Sequence, residues 1–160
     1  MEDNKKKHIK TFREFLADRK KNEPKKVEKK IDWEARKTKW LTSVDNLYAT
    51  VDNIIVNNFR SAGFHVTTKK EEVRIFEEYI GAYYIKNYFI TADDIEVKFF
   101  PIGTIIIGAF GRVNMILPSE TIKLVLQNWS DWRIVSGFGS AIELIEFKEE
   151  SIVKLFQENL

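Results

Sequence analysis

The chain has 160 residues, of which 44% are hydrophobic, 13% aromatic and 31% charged, enough for one globular domain with an appendage. It has no cysteine, which excludes disulfides, thiolate metal sites and a cysteine nucleophile together. The net charge of +2 hides an asymmetry: residues 1–39 hold 15 of the 26 lysines and arginines and 8 of the 24 acids, whereas residues 40–160 hold 11 and 16. The first part is therefore near +7 and the second near −5.

The start, Met1-Glu-Asp-Asn-Lys-Lys-Lys-His, lacks the apolar run of a secretory signal, and no stretch of about 18 apolar residues follows. A cytoplasmic protein without membrane contact is the expectation. Residues 1–30 read as a basic arm, partly disordered or helical, in which Ile9, Phe12, Phe15 and Leu16 share one helical face. The segment Lys20-Lys21-Asn22-Glu23-Pro24-Lys25-Lys26 breaks that pattern, because Pro24 disfavours helix at Glu23 and like charges repel. It reads as a hinge.

Residues 31–160 read as a single α+β domain. A long helix is expected over 31–61, with Trp40, Val44, Leu47, Val51 and Ile54 spaced by four and three, and Leu41, Tyr48 and Ile55 extending the stripe. Asp32 is the expected N-cap and Gly63 the stop. The stripe suits a core helix lying across a sheet; its alternative use is a coiled-coil seam joining two copies into a homo-oligomer. From Phe64 the period becomes two. Strands are expected at 73–76, 83–90, 95–100, 104–107, 112–117, 121–126, 132–135 and 141–147, punctuated by turns such as Asp93-Asp94 and Gly137-Phe-Gly139. Connections this short join antiparallel neighbours. Glu149-Glu150 opens a last helix with Ile152, Leu155 and Phe156 on one face. The expected fold is a long N-terminal helix packed on a strongly bent antiparallel meander or small barrel, closed by a short C-terminal helix.

Three motifs invite chemistry. Ile107-Gly108-Ala109-Phe110-Gly111-Arg112 resembles the Ile-Gly-x-x-Gly phosphate clamp of KH domains, but that clamp joins two helices and this one lies in strand signal. Two glycines three apart in such a context mark a bend. Glu96-Val97-Lys98 puts a carboxylate and an amine on one strand face, as magnesium-dependent nucleases do, and the acid still needed would be Glu77 or Glu78. In a chain this charged, an ordinary polar face is the better reading. The sheet aromatics Tyr83, Tyr84, Tyr88, Phe89, Phe99 and Phe100 interleave only with Lys86 and Lys98 among acids, which favours packing over base stacking. His8 and His65 have no ligand partner at i+4, so no metal site and no cofactor are expected.

Trp33-x-x-Arg36-x-x-x-Trp40 with Leu47-Tyr48, the run Pro101 to Met115, Ile122-Lys-Leu-Val-Leu and Trp132-Arg-Ile-Val resemble a family of small bacterial proteins. The resemblance spans about residues 31–158 and implies a self-contained module, with no catalytic residues to carry over. The resulting expectation is a non-enzymatic accessory protein of a multi-protein bacterial assembly, in defence or regulation. It would grip an acidic protein surface through Ile9, Phe12, Phe15, Leu16, Trp33 and Trp40. The alternative is direct DNA or RNA binding, with Lys5, Lys6, Lys7, Lys10, Lys20, Lys21, Lys25 and Lys26 on phosphates. A metal-dependent nuclease is the weakest reading.

Overall fold

The computed structural model describes residues 11–21, 31–106 and 108–160. Its contacts divide the chain into two units, Met1–Ile31 and Asp32–Leu160. The first contains helix α1, Phe12–Lys21. Thr11 Oγ1 accepts from the Glu14 amide at 3.2 Å, and Arg19, Lys20 and Lys21 fill the last turn, where cations offset the helix dipole. Lys20 and Lys21, expected to begin the hinge, are still helical; residues 22–26 lie outside the described residues.

The second unit opens where Asp32 caps a helix. Asp32 Oδ1 accepts from the Ala35 amide at 3.0 Å, and Glu34 sits in the first turn. The helix runs over residues 33–61 as α2 (Trp33–Val51), a π-helical turn (Asp52–Val56) and α3 (Asn57–Ser61). The sequence reading made this helix N-terminal; it is not, because α1 precedes it. The stripe is buried as the periodicity implies: Trp40, Val44, Leu47, Tyr48, Val51 and Ile55 all lie in the core. The π turn inserts an extra residue, so the stripe rotates and Val56 is buried while Ile54 is only partly so. At that turn Asp52 accepts a hydrogen bond from the Tyr88 hydroxyl.

The helix ends in a Schellman motif. Phe64 N donates to Phe59 O and Gly63 N to Arg60 O, both at 3.0 Å, with Gly63 at φ +91°. The Phe59 and Phe64 rings meet edge-on at 5.1 Å, the apolar contact that accompanies this cap. Gly63→Ala meets no steric obstacle, so its effect isolates the left-handed backbone. It should lower stability by about 1–2 kcal/mol, read by urea denaturation.

Seven antiparallel strands follow in chain order: β1 Val66–Glu77, β2 Gly81–Ala92, β3 Ile95–Gly103, β4 Gly111–Ile116, β5 Thr121–Asn128, β6 Asp131–Ser136 and β7 Glu143–Glu146. Among the described residues β1 and β7 do not pair, so the sheet is an open meander and the expected barrel is corrected. A barrel buries its inner side chains against its own far wall. Here the inner face carries Val97, Phe99, Val113, Met115, Leu124 and Leu126, and these pack in one core with α2. Tyr48 lies 6.1 Å from Phe99, and Trp40 lies 6.1 Å from Trp132. Helix α4, Glu149–Asn159, contributes Ile152, Leu155 and Phe156 to the same core.

Two local departures matter for the site. The expected strand 104–107 does not form; Gly103 (φ +150°) ends β3, and Ile106 makes only an isolated bridge to Ala109. And β3 pairs with β2 only from Tyr88 to Ala92, so the rest of the β1–β2 hairpin is a two-stranded ribbon. Two-stranded ribbons twist more than wider sheets. The buried side of β2 accordingly changes, from Tyr88, Ile90 and Ala92 to Tyr83 and Ile85, leaving Tyr84 and Phe76 exposed.

Candidate functional site

Helix α1 buries none of its residues. Phe12, Phe15 and Leu16 occupy one face by their three- and four-residue spacing and are 76%, 50% and 46% exposed. By helical spacing Arg19 falls within that face and Arg13 and Lys20 flank one side of it, with Asp18 and Glu14 towards the other. An apolar face flanked by cations is the form in which helices dock into acidic grooves. Ile9, Lys5, Lys6, Lys7, Lys10, Lys25 and Lys26 lie outside the described residues.

Trp33 and Trp40, paired in the sequence reading, part company. Trp40 is fully buried and lies on the Gly111 backbone, where an added Cβ would come within 2.3 Å of its ring. Trp33, the residue next to the Asp32 cap, is half-buried and stacks on Tyr79 at 5.3 Å with rings 15° from parallel. Tyr79 sits in the β1–β2 turn at φ +71° and is exposed. Arg36 follows one helical turn later. Its guanidinium lies 5.6 Å from Trp33, 5.9 Å from Phe110 and 6.0 Å from Trp129, and Lys39 Nζ lies 5.7 Å from Trp129. Such ring-face contacts hold a cation in place without an acid.

Arg36 also reaches a buried polar chain. Its Nη2 donates to Thr104 O at 2.7 Å. Thr104 in turn faces Glu77, a buried carboxylate at the end of β1. Glu77 Oε1 accepts from Thr104 N at 2.6 Å, Thr104 Oγ1 at 2.9 Å and Ile105 N at 3.1 Å, and Oε2 accepts from the Tyr83 hydroxyl. Burial, then the hydrogen bond to Glu77, pushes the Tyr83 phenol above its ordinary pKa, so it stays protonated and donates. Both Glu77 oxygens are occupied, which makes the group a clamp on the backbone at Thr104 and Ile105 rather than an available base. Sequence reasoning considered Glu77 only as a metal ligand. No signal in a single sequence marks an acid that will cap a loop 27 residues away.

The other sequence candidates are separated by the register. Glu96 pairs with Thr91, which pairs with Thr67, and Glu77 lies ten residues further along β1, roughly 30 Å away at strand rise. Glu96 instead holds Lys98 at 3.5 Å on an exposed face. Among the described residues no group of three or more histidines, aspartates and glutamates is placed to hold a metal ion. Gly108 (φ +77°) lies in the exposed loop and Gly111 inside on Trp40, so the two glycines face different surroundings and frame no clamp between helices. His65 contributes its backbone amide to Asp93 Oδ1 at 2.9 Å. Among the described residues no helix is long and apolar enough to cross a membrane. No family model matches this chain, and no curated protein or solved structure is similar to it.

Proposed function

We propose that the chain is a non-catalytic, cytoplasmic binding module that serves as an accessory component of a multi-protein assembly and engages an acidic protein surface through α1. The observation that supports this is the uncovered face of Phe12, Phe15 and Leu16 beside Arg19, Lys20 and Lys21. A ten-residue helix with no buried side chain is too short to hold itself together in water, so a partner groove is the natural source of its stability. Among the described residues, Trp33 is the one further member of the expected contact set that reaches the surface.

Native co-purification with the full chain tests this. The triple variant Phe12→Ala, Phe15→Ala, Leu16→Ala should lose its bound protein by at least about a hundredfold, since each buried anchor carries on the order of 1–2 kcal/mol. The wild-type complex should survive high salt, because apolar burial is not screened. The basic last turn of α1 favours a second reading, direct nucleic-acid binding. That reading takes over if the triple variant behaves as wild type while Lys20→Glu, Lys21→Glu abolishes binding to a DNA or RNA oligonucleotide whose affinity falls linearly in log salt.

A further inference from the structure

The two edges of the sheet are finished differently. The long edge strand β1 carries Lys69, Lys70, Glu71 and Glu72 in succession, a charged run that discourages another strand from adding to it. The other edge, β7, has no lysine, arginine or proline. It reads Glu143-Leu144-Ile145-Glu146, and all four residues are exposed. Phe147 N donates to Trp132 O at 3.1 Å, and the alternation of antiparallel ladders then turns Ile145 and Glu143 toward β6. Leu144 and Glu146 are left with their N–H and C=O groups directed outward. Beside this open ladder lie Leu144 (42% exposed), Ile142 (51%) and Phe138 (92%). A cavity of about 760 Å³ adjoins it, with Phe138, Ile142 and Ile145 in its lining.

Charge narrows what can occupy the edge. Glu143 and Glu146 bracket β7, and the cavity adds Glu120, Glu150 and Glu158 against Lys123 and Lys154. Lys148 approaches Glu146 only to 4.0 Å, and Arg133, across from Glu146, is engaged by Asp131 at 3.0 Å. A second copy of this edge would place both copies' Glu143 and Glu146 on one short ladder, which like-charge repulsion disfavours. We propose that β7 receives an extended basic segment of a partner protein as an added strand. Its lysines or arginines would lie against Glu143 and Glu146, and its apolar residues against Leu144, Ile142 and Phe138. This surface is separate from the one on α1.

The probe is a fluorescein-labelled peptide of sequence Thr-Lys-Val-Ile-Lys-Val, whose lysines are three apart as Glu143 and Glu146 are, read by anisotropy with the full chain and by amide exchange at Leu144 and Glu146. Binding should slow exchange at those two amides, and N-methylation of alternate peptide residues should weaken it about tenfold or more. Leu144→Pro removes an outward N–H at an edge position where proline is tolerated, and should weaken binding similarly. The double variant Glu143→Lys, Glu146→Lys should release this peptide and accept Thr-Glu-Val-Ile-Glu-Val in its place. The triple α1 variant should bind the basic peptide as wild type does. Equal binding of the N-methylated peptide shows charge attraction without strand addition and overturns the proposal. So does self-association blocked by Leu144→Pro, which makes a second copy the occupant, and so does failure of the wild-type chain to bind.

Discussion

Trp40→Ala should destabilise the Asp32–Leu160 unit by about 3–5 kcal/mol, the range for removing a large buried aromatic side chain. The ring is fully enclosed, tilted against Trp132 on one side and resting on the Gly111 backbone on the other. Its removal opens a void between α2 and β4, and the strand backbone is hydrogen-bonded on both sides and has little freedom to collapse into it. The same contact makes the reciprocal change costly. A Cβ at Gly111 would lie 2.3 Å from Cζ3 and 2.6 Å from Cε3 of Trp40, so Gly111→Ala overpacks and should lose about 1–3 kcal/mol. The two changes offset each other, because the alanine methyl enters space the indole vacates. In a urea-denaturation cycle the double variant should be more stable than the sum of the single losses, by about 1 kcal/mol or more. Additive losses would mean that the ring does not rest on Gly111. Trp40→Phe is the milder control, since it keeps an aromatic ring in most of the same buried space.

Glu77→Ala should lower stability by about 3–4 kcal/mol, because its removal leaves buried donors facing no acceptor. Thr104 N, Ile105 N and the Tyr83 hydroxyl all direct hydrogens at this one carboxylate. Glu77→Gln keeps the shape but turns an amide N–H₂ toward some of the same donors, and should recover only part of the loss. Tyr83→Phe leaves the Thr104 and Ile105 donors paired with Oε1 but takes the hydroxyl from Oε2, and should cost less than Glu77→Ala. Amide exchange distinguishes a clamp from a generic core defect. Thr104 and Ile105 should exchange faster in Glu77→Ala than the global loss explains, while Val113 and Leu124 should follow it. If all four amides shift together, Glu77 does not secure the backbone at Thr104 and Ile105 specifically.

Much of the helical layer was legible because its signals are local. Asp32 sits at the cap, Gly63 at the Schellman turn, and Trp40, Val44, Leu47 and Tyr48 on the buried stripe, since three- and four-residue spacing carries that information within a few turns. The π turn was not legible: it answers to Tyr88 reaching Asp52 across 36 residues, and nothing near Asp52 announces it. The first half of β1 was missed because Thr67 to Glu72 are exposed polar residues with no apolar alternation, so only pairing with β2 makes them a strand. The reverse error fell on Thr104 to Ile106, whose β-branched run reads as strand. Its leading amides are captured by Glu77 and withdrawn from any ladder. Barrel against open sheet was beyond periodicity, since both bury alternate residues and differ only in whether β1 meets β7. At the surface, the spacing of Phe12, Phe15 and Leu16 placed them on one face. That Trp40 lies inside and Trp33 at the rim follows from the approach of Gly111, 71 residues on in the chain.

The anchoring of α2 has a consequence during synthesis. Ser43 Oγ donates to Trp129 O, 86 residues away, and Trp132 Nε1 donates to Ser43 O across 89 residues. At translation rates of roughly 5–20 residues per second, the interval between making Ser43 and making Trp132 is about 4–18 s. Throughout it the nascent chain carries Trp40, Val44, Leu47 and Tyr48 with no complete sheet to cover them. The β-hairpins can close as they emerge, because each strand pairs with its immediate neighbour. The helix cannot be fully covered until the sixth strand arrives. The period of greatest exposure to chaperones and to aggregation therefore ends with the synthesis of a single tryptophan.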